Sequence, residues 1–193
     1  DLLEAGLDQV TDTPAWSLNA EEATQVITRL SADLARLAEL EARSLTQAES
    51  LDLPGQLGAR SLSDWLARTT RMTKSEAGRR TKLAKTLSAH DQTREAVARG
   101  DVLAEQAAVI TAAVDDLDDD LAPEREVAEQ HLIEQAAHFD AHELRRLGEK
   151  LFEVLDPETA EAREAKRLAE QEERARKKAE ITFRNGGDGT IRG

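Results

Sequence analysis

Seven cations fall within eighteen residues of this chain. They are Arg68, Arg71, Lys74, Arg79, Arg80, Lys82 and Lys85, set against one acid, Glu76, for a local net of +6. The whole chain carries −13, so everything outside the block carries −19. Clustered ammonium and guanidinium groups attract phosphate, and attraction of that kind weakens with salt. The chemistry this block could do is therefore contact with a nucleic-acid backbone. Six residues are the candidate DNA contacts: Arg68, Arg71, Lys74, Arg79, Lys82 and Lys85. The same pattern also describes a packed helix with a solvated charged face, and both readings stand at this point.

Other side chains that could do chemistry lack a constellation. Of the four histidines, His138 and His142 are four apart, but Asp140 with Glu143 marks a new helix start between them, which breaks the register that two metal ligands need. His131 and His138 are seven apart on one face, too far for one ion. The acidic run Asp115–Asp120 lacks the spaced ligands, central glycine and closing glutamate of a calcium loop. Asn185-Gly-Gly-Asp-Gly189 has no Gly-Lys-Ser/Thr and no helix after it, so it reads as a turn and not a phosphate loop. With no cysteine, thiolate metal sites, thiol nucleophiles and disulfides are all excluded. The expectation is no catalytic residue, no metal site and no cofactor in this chain.

The elements that must position the basic block are helices. Ser61-Leu-Ser-Asp-Trp65-Leu-Ala-Arg68 reads as a short helix over about 61–69. Thr73 followed by Glu76 reads as a capping box opening a basic helix over about 74–89. Helix, short turn and basic helix together form a helix-turn-helix-like pair. On the second helix, Lys74, Arg79, Lys82 and Lys85 share an outward side, Ala77, Leu83, Ala84 and Leu87 the inward one, and Arg80 sits at the flank nearer the core.

Upstream, Asn19 with Glu22 caps a long helix to about Ser50, after a leader broken at Pro14. Val26, Ile27, Leu30, Leu34, Leu37 and Leu40 recur at steps of three and four. This stripe is wider than a strict coiled-coil seam and reads as bundle core, with a dimer seam as the alternative. Leu53-Pro54-Gly55 ends the helix or turns the chain. Downstream, helices are expected at about 91–98, stopped by Gly100, and at 103–115, with Leu103, Ala107, Ile110 and Val114 inward. Two more follow at 123–138, with Pro123 in the first turn, and at 140–154. A charged helix over 157–180 carries acid-then-base pairs at i,i+4. Ile181–Arg184 and Thr190–Arg192 flank the glycine-rich turn as a short β-hairpin stub.

Composition agrees with a helical bundle: 39% hydrophobic, 34% charged, and only five aromatics, Trp16, Trp65, Phe139, Phe152 and Phe183. Strong helix formers dominate. No apolar run approaches the roughly 18 residues of a membrane span. The chain starts at Asp1 without methionine and stops just after the hairpin, so a longer protein is expected around it. The expected segments are a leader and long helix over 1–55, a helical core over 56–155, and a charged helix with hairpin over 156–193.

From Gly58 onward the chain resembles the 13E12 repeat family of actinobacteria, a domain of unknown function (number 222). The residues that carry the resemblance are Ala59-Arg-Ser-Leu-Ser-Asp-Trp-Leu66, Met72-Thr-Lys-Ser-Glu-Ala77, Arg79-Arg80, Leu83-Ala84, Ala96-Val-Ala-Arg-Gly100, Gln106-Ala107, Glu143-Leu-Arg-Arg-Leu147, Leu155-Asp-Pro157 and Asp188-Gly-Thr190. Asp101-Val-Leu-Ala104 departs from the family's Leu-Ser pair there. The resemblance implies association with DNA, since members often continue into an HNH endonuclease domain. That domain's histidine and Cys-x-x-Cys motifs are not in these residues, and no catalytic role carries over.

The reading is an all-α multi-helix bundle with a short C-terminal β-hairpin stub. It acts in the cytoplasm as a non-catalytic DNA-binding or positioning module. The alternative is a structural or oligomerisation module that pairs helices with a second copy or with a partner protein. No membrane partner is expected.

Overall fold

The computed structural model describes residues 2–11, 15–117 and 122–155, then 168–169, 172–174, 176, 184–185 and 191–192. The chain forms two compact units, Asp1–Gly148 and Glu149–Gly193. The first unit is helical. Its elements are α1 (Leu2–Thr11), α2 (Ala20–Ser50), α3 (Leu53–Gln56), α4 (Leu62–Thr70), α5 (Lys74–Leu87), α6 (Asp91–Arg99), α7 (Ala104–Asp115), α8 (Ala122–Gln135) and the start of α9 (Ala141–Leu155), with a 3-10 turn at Ala15–Ser17.

The helix starts follow from local chemistry. Asn19 Oδ1 accepts the Glu21 and Glu22 N–H groups, and Glu22 accepts the Asn19 N–H, so the expected capping box opens α2. Asp140 and Glu143 form the same reciprocal pair ahead of α9. Gly100 ends α6 at φ 85°, and the N–H groups of Gly100 and Asp101 bond back to Val97 and Ala96. A Cβ on Gly100 would lie 3.0 Å from the Ala32 carbonyl oxygen of α2, so this glycine also permits a close helix approach. α7 starts one residue later than the spacing suggested. Gln106 Oε1 accepts the Leu103 N–H, while its amide donates to the Ala136 and Phe139 carbonyls. Leu103, expected inward, is therefore the exposed cap residue, whereas Ala107, Ile110 and Val114 are buried as expected. Leu53-Pro54-Gly55 is a single helical turn, not a simple break, with Pro54 buried in its first turn.

α2 packs along α5 and α6, α4 along α5, and α7 lies against α5, α6 and α8. α2 thus packs directly on the helices that follow it. The largest fully buried apolar side chains are Leu87, Ile110, Leu132 and Leu144. Each contributes about 1.5–3 kcal/mol by leaving water. Ala35, Ala42, Ala77, Ala84 and Ala96 let the helix axes come close.

The face that α2 presents to this core corrects the sequence reading. Ala35, Glu39, Ala42 and Leu45 are its buried residues. The Leu/Ile stripe expected in the core is exposed: Ile27 at 66%, Leu34 at 65% and Leu30 at 55%, with Val26, Leu37 and Leu40 exposed too. The physical reason is that α2 has a second face, where the short Ala35 and Ala42 fit the close contact with α5 and α6, with Leu45 and the Arg43-paired Glu39 beside them.

The second unit contains the end of α9, and residues 168–169, 172–174 and 176 are helical. The rest of the charged helix expected at 157–180 lies outside the described residues. Of the expected hairpin, Arg184 pairs with Arg192 and Asn185 with Ile191, antiparallel. Its turn, 186–190, lies outside the described residues. Two residues per strand make no β layer, so the architecture is all-helical, and a hairpin stub is not part of it.

Candidate nucleic-acid interface

The basic block occupies α4, a three-residue turn and α5. Ser61 caps α4 through the Asp64 N–H at 3.1 Å. The turn begins at Arg71, which closes α4 at φ 60°, ψ 22°, a left-handed position that glycine usually takes. Thr73 Oγ1 accepts the Glu76 N–H at 3.2 Å and opens α5.

Only half of the expected capping box forms. The Glu76 carboxylate turns forward instead, to Arg80 at 2.8 Å and to Arg79. Hydrogen bonds from Arg80 and then Arg79 hold the Glu76 carboxyl below its ordinary pKa. Arg80 also reaches across to Glu41 of α2 at 3.0 Å. Those two carboxylates raise the guanidinium pKa of Arg80 further, so it acts as a tie between α5 and α2.

Several other block cations have acids nearby. Arg68 Nε lies 4.0 Å and Lys74 Nζ 3.9 Å from the Asp64 carboxylate. Both pairs are loose and exposed, and worth little. Arg71, Lys82 and Lys85 are exposed, and no described acid pairs with them. The net +6 of the sequence is therefore partly compensated by Glu41 and Asp64. Asp64 stands four residues before Arg68, a spacing visible in the sequence, whereas Glu41 was not legible as a partner because it is 39 residues away from Arg80.

The outward face of α5 combines Ser75, Arg79 and Lys82 at its centre with Lys74 and Lys85 to one side, while Ala77, Ala84 and Leu87 face the core. Gly78 lies between these, and a Cβ placed on it would meet nothing within 4 Å. A helical glycine with no packing requirement leaves a low spot beside the cations, where a backbone could approach.

A second polar cluster escaped the sequence reading. His90, ahead of α6, is buried, with Nε2 3.0 Å from Asp115 Oδ1 and Nδ1 3.7 Å from Glu129 Oε2. Glu129 Oε1 accepts the Thr93 N–H at 3.0 Å and the Thr93 hydroxyl at 2.6 Å. A glutamate from α8 thus caps the first turn of α6, where N–H groups lack helical partners. Glu129, against the opposing cost of burial and with help from Asp115, raises the His90 pKa. Burial pushes the Glu129 carboxyl up, but His90 and Thr93 outweigh it and leave its pKa lowered. These groups satisfy one another, and the arrangement is an inter-helix tie. His131, His138 and His142 are exposed. Among the described residues no group of three or more His, Asp or Glu is placed to hold a metal ion. No helix of the described residues is long and apolar enough to cross a membrane.

No curated protein and no solved structure matches the chain. A family model described as "Domain of unknown function (DUF222)" matches residues 24–190, from the first turns of α2 to the glycine-rich segment. With that match covering most of its length, the chain belongs to the DUF222 family.

Proposed function

We propose that the first unit binds nucleic acid without catalysis, through the outward face of α5 and the turn before it, as a DNA-positioning module. The observation that carries this reading is that Arg71 in the turn and Lys82 and Lys85 along α5 are exposed and free of described acidic partners, with the open surface at Gly78 between them in sequence, in a chain of net −13. Arg68 on α4 and Lys74 and Arg79 on α5 add weaker, partly compensated charge. In this reading the module works in the cytoplasm. Its resemblance to the actinobacterial 13E12 repeat proteins supports partnership with an HNH nuclease domain, which would supply the chemistry.

The test is DNA affinity measured across salt concentrations for the wild type and for Lys82→Ala/Lys85→Ala. Removing one phosphate-binding cation should lower the slope of log affinity against log salt by about one. The slope of the double variant should therefore fall by about two, with weaker binding at low salt. Affinity and slope equal to wild type would remove α5 as the contact surface.

A further inference from the structure

We propose that the exposed stripe on α2 is a self-association seam, occupied by α2 of a second copy of this chain. The inference does not rest on the DNA reading, because it uses a different helix face and a different chemistry.

The spacing comes first. Ala23, Ile27, Leu30, Leu34 and Leu37 step by 4, 3, 4 and 3 residues. This is the heptad repeat of two-stranded coiled coils, with Ile27 and Leu34 at a and Ala23, Leu30 and Leu37 at d. Val26 and Leu40 fall at the flanking g positions and widen the seam. Three of the four residues that α2 buries against the bundle, Ala35, Glu39 and Ala42, fall at the b and f positions, and the fourth, Leu45, lies past Glu41, where the heptad ends. At about 100° per residue the two faces are separated by about 130° around the helix. One helix therefore carries an apolar stripe and a separate alanine-lined face, and along residues 23–42 the bundle uses only the second.

Three observations point to a second copy as the occupant. The stripe holds six large aliphatic residues exposed by 40–66%. Together they expose on the order of 500 Å², already at the upper range of patches on monomers and most of the roughly 800 Å² per partner that a specific dimer buries. α1 does not cover it, since its own Leu7 is exposed at 61%. Finally, the charges beside the stripe are settled within the protomer. Asp33, at the g position, is held by Arg29 at 3.3 Å and Arg36 at 3.0 Å. Glu41, where the heptad ends, is held by Arg80. Residues 23–38 thus carry two arginines and one aspartate in a chain of net −13. Two copies can approach along this face without the repulsion their other surfaces impose, and no unpaired charge on it calls for an oppositely charged partner.

The experiment is sedimentation equilibrium of the full chain across concentration, with Leu30→Glu/Leu34→Glu as the variant. Both side chains are exposed and glutamate is a good helix former, so the fold should persist, which far-UV circular dichroism checks. The wild type should be a dimer at about 100 µM and dissociate on dilution, and the variant should weaken association by more than about 100-fold. Because the chain has no cysteine, Leu30→Cys provides an independent reading. Under mild oxidation it should form a disulfide-linked dimer, whereas Glu105→Cys, exposed on α7, should not. A wild type that is monomeric at about 100 µM, including one whose own C-terminal residues cover the stripe, overturns the proposal. So does a dimer that survives in a folded Leu30→Glu/Leu34→Glu variant.

Discussion

Replacing Gly78 with alanine tests the description of α5 at one atom. Glycine inside a helix is about 0.8–1.0 kcal/mol less favourable than alanine, because the unfolded chain has more freedom to lose. Whether that gain is realised depends on space for the new methyl. At Gly78 the added Cβ meets nothing within 4 Å, and the residue sits in the middle of α5. The full gain should therefore appear, about 1 kcal/mol, which for a domain of this size raises Tm by about 2–4 °C. Gly100→Ala is the opposing control. Its φ of 85° is left-handed, and its Cβ would press the Ala32 carbonyl oxygen at 3.0 Å. Left-handed backbone costs roughly 1–2 kcal/mol in an L-residue, and crowding of the α2 backbone adds to that. The assay is thermal unfolding followed by circular dichroism at 222 nm. A Tm for Gly78→Ala at or below wild type refutes the reasoning, because it means that the outward face of α5 is crowded. DNA titration of the same variant adds a second reading. If phosphate approaches α5 at this low spot, Gly78→Ala should bind DNA more weakly while being the more stable protein.

Arg71→Gly should stabilise the fold by about 1 kcal/mol by relieving the left-handed turn, seen as a higher urea midpoint. The same change should lower the DNA salt slope by about one, separating stability from binding. Stability should also depend on the His90–Glu129 pair. The His90 pKa is raised, so its contribution is complete below 6.5 and is lost as pH climbs through the higher folded value. The Glu129 pKa is lowered, so its contribution is complete above 4.5 and is lost as pH falls through the lower folded value. Urea unfolding at several pH values should show the stability gap between wild type and Glu129→Gln widest between about 4.5 and 6.5. A gap that grows above pH 7 would contradict a protonated His90 in that pair.

Helix positions were legible because the signals that set them are local. Asn19/Glu22, Asp140/Glu143 and Gly100 each act within a few residues, and each does what its spacing implied. What escaped depends on contacts between distant segments. The stripe of α2 has the right period, but period alone cannot say which face meets the bundle. That choice is made by the short alanines that α5 and α6 approach. Likewise Glu76 sits where a capping box would use it, yet Arg79 and Arg80 one turn later compete for its carboxylate and win. The His90–Glu129–Thr93 tie joins α6 to α8 across 36 residues, and no spacing rule reaches that far.

The pattern of pairing also bears on what kind of nucleic-acid contact α5 could make. Arginine reads bases through its two-pronged fork, and lysine acts as a point charge that suits phosphate. On α5 both arginines are engaged by Glu76, and Arg80 is engaged a second time by Glu41. The cations of α5 left without a described acid, Lys82 and Lys85, are lysines, and Arg71 stands outside the helix at the turn. A helix arranged in this way is suited to hold a backbone and poorly suited to read a groove. The proposed module should then discriminate little between DNA sequences while remaining steeply sensitive to salt. Sequence-specific binding that survives at high salt would require Arg79 to leave Glu76, and Glu76→Gln, which weakens that hold, should then sharpen specificity rather than only raise affinity.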